Sequence, residues 1–303
     1  MLPALCLLAF FVSLSCQKDP LNDFCRRHGH QSVLVDDRLY LDGGFVNWNP
    51  IAQNVLNYTS KSSIISLVLR LTQIVDTWLL YNDLRTSPLG IGSPELHADL
   101  SKNGTIPSVS GGMLWGDEVN KRFYLYGGNY HDIAPEIPEL FSYDIIYDQW
   151  ESFGPPQKAI SSVSWAGSVG VSDLGRGYAL GGWISNESMA GWTGGPIAIS
   201  TLLEYKMDSG QWTNSTGPDN TPRAEGAMVY LPASASGILV YFGGIKTPFN
   251  NSTIEPSPMN LIYLYDIAGS RWYTQRASGN VPPDRRRFCA GASWANDHSS
   301  YNM

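Results

Sequence analysis

The sequence has little charge and no extended basic segment. Charged residues make up 16% of the 303 residues, and the formal net charge is -7. The longest run of basic residues is Arg285 to Arg287, so the sequence predicts no nucleic-acid partner. Thirty glycines, 12% aromatic residues and a 43% hydrophobic fraction accompany this low charge. This composition predicts an all-β protein with a substantial core.

An apolar run long enough to cross a bilayer is also absent. Residues 2–15 are almost wholly apolar, but this run is short and is followed by polar Gln17, Lys18 and Asp19. The pattern predicts a signal peptide over residues 1–17 and a secreted or cell-surface location, although its start lacks a basic residue. A buried N-terminal strand and an uncleaved anchor are the alternatives. We predict no transmembrane helix.

Glycosylation sequons and cysteines agree with an extracellular chain. Sequons occur in excess over chance, at Asn57, Asn103, Asn186, Asn214, Asn250 and Asn251. Of four cysteines, Cys25 and Cys289 remain once residues 1–17 are removed. An even number of cysteines in an oxidising compartment predicts one disulfide between them. Two unpaired buried thiols are the alternative.

A short strand-like segment runs into a glycine pair four times. The segments are LYLDGG, YLYGG, YALGG and VYFGG, with the last glycine at Gly44, Gly128, Gly182 and Gly244. Later in three of these units a tyrosine precedes a tryptophan by seven residues, as Tyr143–Trp150, Tyr205–Trp212 and Tyr265–Trp272. Such regular spacing predicts a repeated supersecondary unit.

Each repeat contains enough strand signals for a four-stranded sheet. Period-2 alternation marks the segments before the glycine pairs, and turn residues separate each Tyr strand from its Trp strand. Another β-like run precedes each glycine pair, reading QSVLVD, GGMLWGD, SSVSWAG and GAMVYLP. Four-stranded units in series, each burying a face against its neighbours, predict a β-propeller.

The double glycine, spaced tyrosine and tryptophan resemble the kelch repeat. Stretches such as LYLDGGFVNWNP and RRRFCAGASWANDHSSYN are similar to fungal secreted or cell-surface kelch-repeat proteins. The resemblance covers nearly all of residues 25–303. It implies an all-β, kelch-type β-propeller over residues 18–303, with four blades plus part of a fifth in an incomplete ring.

The first unit departs from the pattern. Tyr81 is followed seven residues later by Pro88 in place of Trp, and an apolar run occupies residues 60–76 where a polar loop is expected. This run is either a short helix or hairpin inserted at the blade edge, or an intron translated in frame. Sequencing the transcript across the segment distinguishes the two.

The end of the sequence also departs from the pattern. Residue 303 is where the next glycine pair is due, so the sequence stops inside a fifth unit after its first strand. We expect a truncated product of a larger propeller. The alternative is a small closed ring in which the last strand completes blade one.

The loops after the glycine pairs are long and vary between repeats. Loops held on a regular scaffold are common binding elements, and exposed aromatic residues in them stack on sugars or anchor partners. The candidate ligand-binding residues are Trp48, Tyr130, His131, Trp183, Trp192 and Phe249. The alternative is that these residues pack over neighbouring loops.

No catalytic constellation emerges from the sequence. The five histidines, His28, His30, His97, His131 and His298, show no convincing metal-ligand spacing. We predict no metal and no cofactor, and assign no catalytic residue or oligomeric state. The predicted function is an extracellular, non-catalytic binding module for a protein or a cell-wall glycan. A secreted carbohydrate-active or oxidoreductase enzyme is the alternative.

Overall fold

The computed structural model describes residues 19–48, 78–86, 94–102, 105–131, 134–157, 160–248 and 253–303, and for Trp48 and Ser101 the backbone alone. Regular structure in these residues is antiparallel β-sheet with two short 3-10 turns, Leu84–Thr86 and Ser172–Leu174. The predicted signal peptide over residues 1–17 and the irregular segment 60–76 lie outside the described residues.

Two four-stranded sheets form the first half of the molecule, and each sheet is one blade. The first unit contains β1 (Phe24–His28), β2 (Gln31–Val35), β3 (Arg38–Asp42), β4 (Phe45–Trp48), β5 (Trp78–Asp83) and β6 (Leu96–Ser101). The second contains β7 (Val109–Ser110), β8 (Met113–Asp117), β9 (Arg122–Tyr126), β10 (Asn129–Tyr130), β11 (Leu140–Asp144) and β12 (Gln149–Gly154). Blade 1 has the strand order β2-β3-β5-β6, and blade 2 has the order β8-β9-β11-β12.

The second half repeats this arrangement. The third unit contains β13 (Gly167–Val171), β14 (Arg176–Leu180), β15 (Trp183–Ile184), β16 (Ile197–Ala198), β17 (Thr201–Lys206) and β18 (Gln211–Thr216). The fourth contains β19 (Arg223–Ala224), β20 (Ala227–Leu231), β21 (Ile238–Phe242), β22 (Ile245–Lys246), β23 (Glu255–Pro256), β24 (Leu261–Asp266) and β25 (Arg271–Arg276). Blade 3 is β13-β14-β17-β18 and blade 4 is β20-β21-β24-β25. The first strands β2, β8, β13 and β20 are neighbours in that order, which arranges the blades as a propeller.

The tyrosine and tryptophan of each repeat wedge a blade against the preceding one. Tyr205 lies opposite Trp212 across β17 and β18, with ring centroids 4.6 Å apart. Both rings are buried in one cluster with Trp115 of blade 2. Removing each such aromatic side chain from water contributes about 2–3 kcal/mol. The spaced aromatic pair thus contributes directly to the packing between blades.

Blade 1 fills the tryptophan position with a histidine. Tyr81 pairs with His97 across β5 and β6, and their rings stack at 4.6 Å. The expectation of an irregular first unit is confirmed, because β6 begins at Leu96, after the position of Pro88.

The first strand of blade 3 lies later than predicted. SSVSWAG was expected to be this strand, but β13 begins at Gly167, and Ser164 forms only an isolated bridge to Trp183. The reason is Trp165, whose φ of 57° lies in the left-handed region and interrupts an extended strand.

A two-stranded hairpin follows blade 4. It consists of β26 (Ser293–Trp294) and β27 (Tyr301–Asn302), which pair with each other. Blade 1 has its own four strands, so the alternative in which the last strand completes blade one is not the observed arrangement. Leu34, on the side of β2 facing away from blade 2, is 53% exposed, whereas Val35 is fully buried. The described residues therefore form four blades and the start of a fifth, as predicted.

Candidate binding face at the propeller axis

The connections that enter the blades and the loops after the glycine pairs lie on one face, which we call the loop face. Antiparallel pairing places the start of a blade's first strand beside the end of its second strand. In three units short ribbons link these connections: β1 with β4, β7 with β10, and β19 with β22, which also pairs with β23. In the third unit β15 and β16 pair within the loop, and an isolated bridge joins Ser164 to Trp183. These ribbons hold the variable loops on the scaffold.

The second glycine of each pair bonds to the next blade. The backbone N–H groups of Gly44, Gly128, Gly182 and Gly244 donate to the carbonyls of Val109, Val163, Arg223 and Arg285, at 2.8–2.9 Å. These acceptors occupy equivalent positions in the connections between blades. The glycine pair is therefore a blade-to-blade junction, and the fifth unit is attached to blade 4 by the same bond.

A second series of backbone bonds surrounds the propeller axis. It joins five equivalent residues, which we call the axial positions: Gly29, Gly111, Trp165, Glu225 and Arg287. Each of the last four donates its N–H to the carbonyl of the one before it, at 2.7–2.9 Å. All five have a φ between 52° and 68°. The backbone geometry thus repeats while the side chains differ completely.

The side chains at three of these positions, together with Trp183 and Arg286, form a charged and aromatic group. We define the axial cluster as Trp165, Trp183, Glu225, Arg286 and Arg287. The Glu225 side chain is 2% exposed; its Oε1 accepts hydrogen bonds from Arg287 Nη2 at 2.7 Å and Trp183 Nε1 at 3.1 Å. Arg286 Nη1 lies 3.3 Å from Oε2. One buried carboxylate therefore orients two arginines and one indole.

Trp165 packs against two axial glycines and against Arg287. Its indole lies against the backbone of Gly29 and Gly111, where a Cβ would come within 2.8 Å and 2.5 Å of ring atoms. The guanidinium carbon of Arg287 lies 4.1 Å from the indole ring centroid. A stacked cation of this kind is stabilised by the negative face of the ring. Glycine at the two neighbouring axial positions gives the ring its space.

Blade 1 adds further cationic groups beside the cluster. Burial, followed by the charges of Arg287 and Arg26, lowers the pKa of His28 below its ordinary value. Burial, followed by the charge of Arg27, also lowers the pKa of His30. Burial is the larger cause of both shifts, so both imidazoles favour the neutral form, and the neighbouring arginines reinforce this.

The predicted ligand-binding residues do not gather in one place. Trp183 belongs to the axial cluster. Tyr130 is only 8% exposed, which corrects its expected exposure: its ribbon packs into the boundary between blades, and its N–H donates to the carbonyl of Glu187. Trp192 is partly buried against the core shared by blades 2 and 3, and its Nε1 donates to the carbonyl of Gly195.

Of the three remaining candidate ligand-binding residues, one is exposed and two lie outside the described residues. His131 is exposed on the loop after β10. The side chain of Trp48 and the whole of Phe249 lie outside the described residues. Tyr130 and Trp192 thus pack against the rest of the propeller, Tyr130 in the core between blades 1 and 2 and Trp192 against the core of blades 2 and 3.

The predicted modifications have mixed outcomes. Asn186 and Asn214 are exposed, which is compatible with glycosylation, whereas Asn57, Asn103, Asn250 and Asn251 lie outside the described residues. The predicted disulfide is wrong for this structure, because Cys25 and Cys289 are both free. Cys25 lies in β1 and is half-buried, whereas Cys289 is exposed. The alternative of two buried thiols also fails at Cys289.

Sequence reasoning missed four members of the cluster. Glu225, Arg286 and Arg287 lie in connections with no strand or glycine-pair signal of their own, and Trp165 lies in SSVSWAG, which the sequence pattern assigned to a strand. Aligning the repeats on their glycine pairs reveals the axial positions, because each of the first four lies two residues before a first strand. The Arg285–Arg287 run was noted as a charge feature but was not connected to the axis.

Two features are absent from the residues that the structure describes. In this part of the chain no three or more His, Cys, Asp or Glu side chains are grouped so as to hold a metal ion. The same residues contain no helix with the length and apolarity needed to cross a membrane.

Comparisons with known proteins agree with the repeat and the architecture. A curated protein of Arthroderma benhamiae described as "Kelch repeat-containing protein" is 27% identical over 323 residues, covering 92% of this chain and 44% of the relative. This chain thus spans less than half the length of that relative. A solved structure, "Structure of YjhT", matches with a TM-score of 0.53 at 16% identity, covering 82% of this chain and 68% of that one. No protein-family profile matches. The resemblance to kelch-repeat proteins and the β-propeller fold are confirmed.

Proposed function

We propose that this kelch-repeat β-propeller is a non-catalytic binding module, displayed outside the cell, whose loop face binds a glycan or a protein. The observation that carries the proposal is the axial series. Five equivalent backbone positions hold Gly29, Gly111, Trp165, Glu225 and Arg287 in one conformation. A scaffold that repeats its geometry while changing its side chains is suited to recognition.

The extracellular part of the proposal has separate support. The apolar leader predicted over residues 1–17 and the excess of sequons favour the secretory route. Asn186 and Asn214 are exposed and thus accessible to a glycan. Expression of the full coding sequence in a eukaryotic secretion host tests location. We expect protein in the medium whose mass falls on endoglycosidase treatment; retention in the cytosol without glycans would contradict it.

Binding is tested with the secreted protein on a glycan array and against defined proteins of the cell wall. We expect saturable, reversible binding that is lost when the loop face is altered at Glu225. Mass spectrometry of the recovered ligand should show it unchanged. Turnover of the bound glycan, or stoichiometric copper in purified active protein, would instead establish the enzyme alternative.

A further inference from the structure

Arg287 is held in a fixed orientation with part of its side chain facing solvent. Its Nη2 donates to the buried Glu225 at 2.7 Å, and its guanidinium lies 4.1 Å above the Trp165 ring. The side chain nevertheless remains 46% exposed. A guanidinium carries five N–H donors, so a carboxylate bonded to one amino group leaves donors for a second oxyanion. Fixing the plane beforehand lowers the entropy cost of binding.

Arg286 supplies a second cation at the same carboxylate. Its Nη1 lies 3.3 Å from Glu225 Oε2, and its side chain is 57% exposed. The two arginines therefore share one buried anchor while both contact solvent. Adjacent guanidiniums that are partly neutralised but still exposed attract an anion without the full repulsion of two free cations.

The local charge at the cluster is opposite in sign to that of the whole chain. Two arginines, Arg286 and Arg287, share the single carboxylate of Glu225. The chain as a whole has a formal net charge of -7. An acidic protein that gathers arginines at its axis presents one local site for an anion.

We infer that the axial cluster binds the carboxylate of a sugar acid, a hexuronate residue of an acidic glycan. This inference rests on the proposed function and names its ligand class. The planar fork of Arg287 matches a carboxylate, which accepts two parallel N–H donors. The half-buried indoles of Trp165 and Trp183 border it, and aromatic surfaces are suited to the C–H faces of a sugar ring.

A nearby glycosylation sequon favours a sugar over an acidic segment of a protein. The exposed sequon at Asn186 lies in the β15–β16 connection, three residues after Trp183 of β15. A glycan there would crowd a large flat protein interface beside the cluster.

Calorimetric titration of the secreted full chain tests the inference. The probes are D-galacturonate, D-glucuronate and their short oligomers, with the methyl esters as uncharged controls. Arg287→Gln should weaken binding at least about tenfold, because it removes a charged hydrogen-bond donor. Arg287→Lys should also weaken it, because an ammonium lacks the planar fork. Arg286→Gln should have a smaller effect, roughly threefold.

Arg276→Gln, on the exposed outer strand β25 of blade 4, is the matched control and should bind normally. Thermal unfolding of every variant separates loss of the site from loss of the fold. Equal binding of acid and methyl ester, or normal binding by a folded Arg287→Gln, would overturn the inference. Binding of a glutamate-rich peptide but no uronate would assign the cluster to a protein partner. Binding of a neutral glycan alone would refute the inference and leave the proposed function standing.

Discussion

The Glu225 carboxylate is buried, whereas the two arginines that pair with it are partly exposed to solvent. Its side chain is 2% exposed, whereas those of Arg286 and Arg287 are 57% and 46% exposed. The two ion pairs are therefore partly screened, and their contribution is smaller than that of a fully buried pair. The hydrogen bond from Trp183 Nε1 adds a directional contact between two loops.

Glu225→Gln tests the positioning role of this carboxylate. The substitution keeps the shape, removes the charge and leaves the neighbouring guanidiniums less well compensated. We expect the free energy of unfolding to fall by about 1–2 kcal/mol, measured by urea denaturation. Glu255→Gln, which removes an exposed partner of Lys246, is the control and should cost under about 0.5 kcal/mol. Equal losses of unfolding free energy in both variants would contradict this role of Glu225.

His28 and His30 predict how stability depends on pH. Burial and nearby arginines lower the pKa of both below 6.5 in the folded state. Below pH 6.5 the unfolded chain therefore binds protons that the folded chain does not, and the free energy of unfolding decreases as pH falls. Carboxylates with lowered pKa values, such as Asp36, act in a separate window below pH 4.

Urea titrations between pH 7 and pH 5 measure this histidine effect. The double variant His28→Gln and His30→Gln should flatten the decline in stability across that range. His131→Gln, on an exposed loop, is the control and should retain the wild-type slope. An unchanged slope in the double variant would show that other groups cause the decline.

At the scale of elements, the double-glycine strand end determines how close two blades approach. At Gly181 a Cβ would lie 2.1 Å from the carbonyl oxygen of Arg223, and φ is +69°. Gly182 then donates its N–H to that same carbonyl at 2.8 Å. The first glycine therefore provides the space, and the second makes the bond.

Gly181→Ala measures the cost of losing that space. The methyl group meets backbone that cannot rotate away, so we expect about 3 kcal/mol or more of destabilisation. Gly210→Ala is the matched control, because its φ is +65° but nothing lies within 4 Å of the new Cβ. Left-handed strain alone should cost about 1 kcal/mol there. Similar losses in the two variants, measured by chemical denaturation, would refute the close-approach explanation.

At the scale of the whole molecule, stability is distributed unevenly along the blades. Clusters of buried residues join blade 1 to blade 2, blade 2 to blade 3 and blade 3 to blade 4. Residues 277–303 follow blade 4 and are almost entirely exposed. In a repeat protein each unit contacts only its neighbours. A unit with few buried contacts to its neighbour therefore has the lowest free energy of local opening.

Limited trypsin digestion tests this distribution. We expect early cleavage after Arg285 or Arg286, with the four blades persisting as one resistant fragment. Arg176 and Lys206, within paired strands of blade 3, should be cut later. Mass spectrometry of the fragments identifies the order. Cleavage inside blade 3 before the terminal segment would show that exposure does not govern opening here.

Much of the blade architecture was accessible from local sequence signals. The YLYGG segment predicted β9 and its glycine end, and Tyr205 and Trp212 predicted a cross-strand pair. The prediction failed at SSVSWAG because its apolar residues indicate a strand, whereas the left-handed backbone at Trp165 depends on a bond to Gly111. The disulfide failed because cysteine number carries no information on spatial separation.

The sequence by itself determined the repeat, the strand order within each blade and the glycine junctions. These follow from residue chemistry within one unit: alternation, turn residues and the absence of a Cβ. Only the tertiary structure decided the axial cluster. Trp165, Glu225 and Arg287 belong to different repeats, and each has a side chain that its own unit does not require. They lie close together because backbone hydrogen bonds between blades place equivalent residues of successive repeats around one axis.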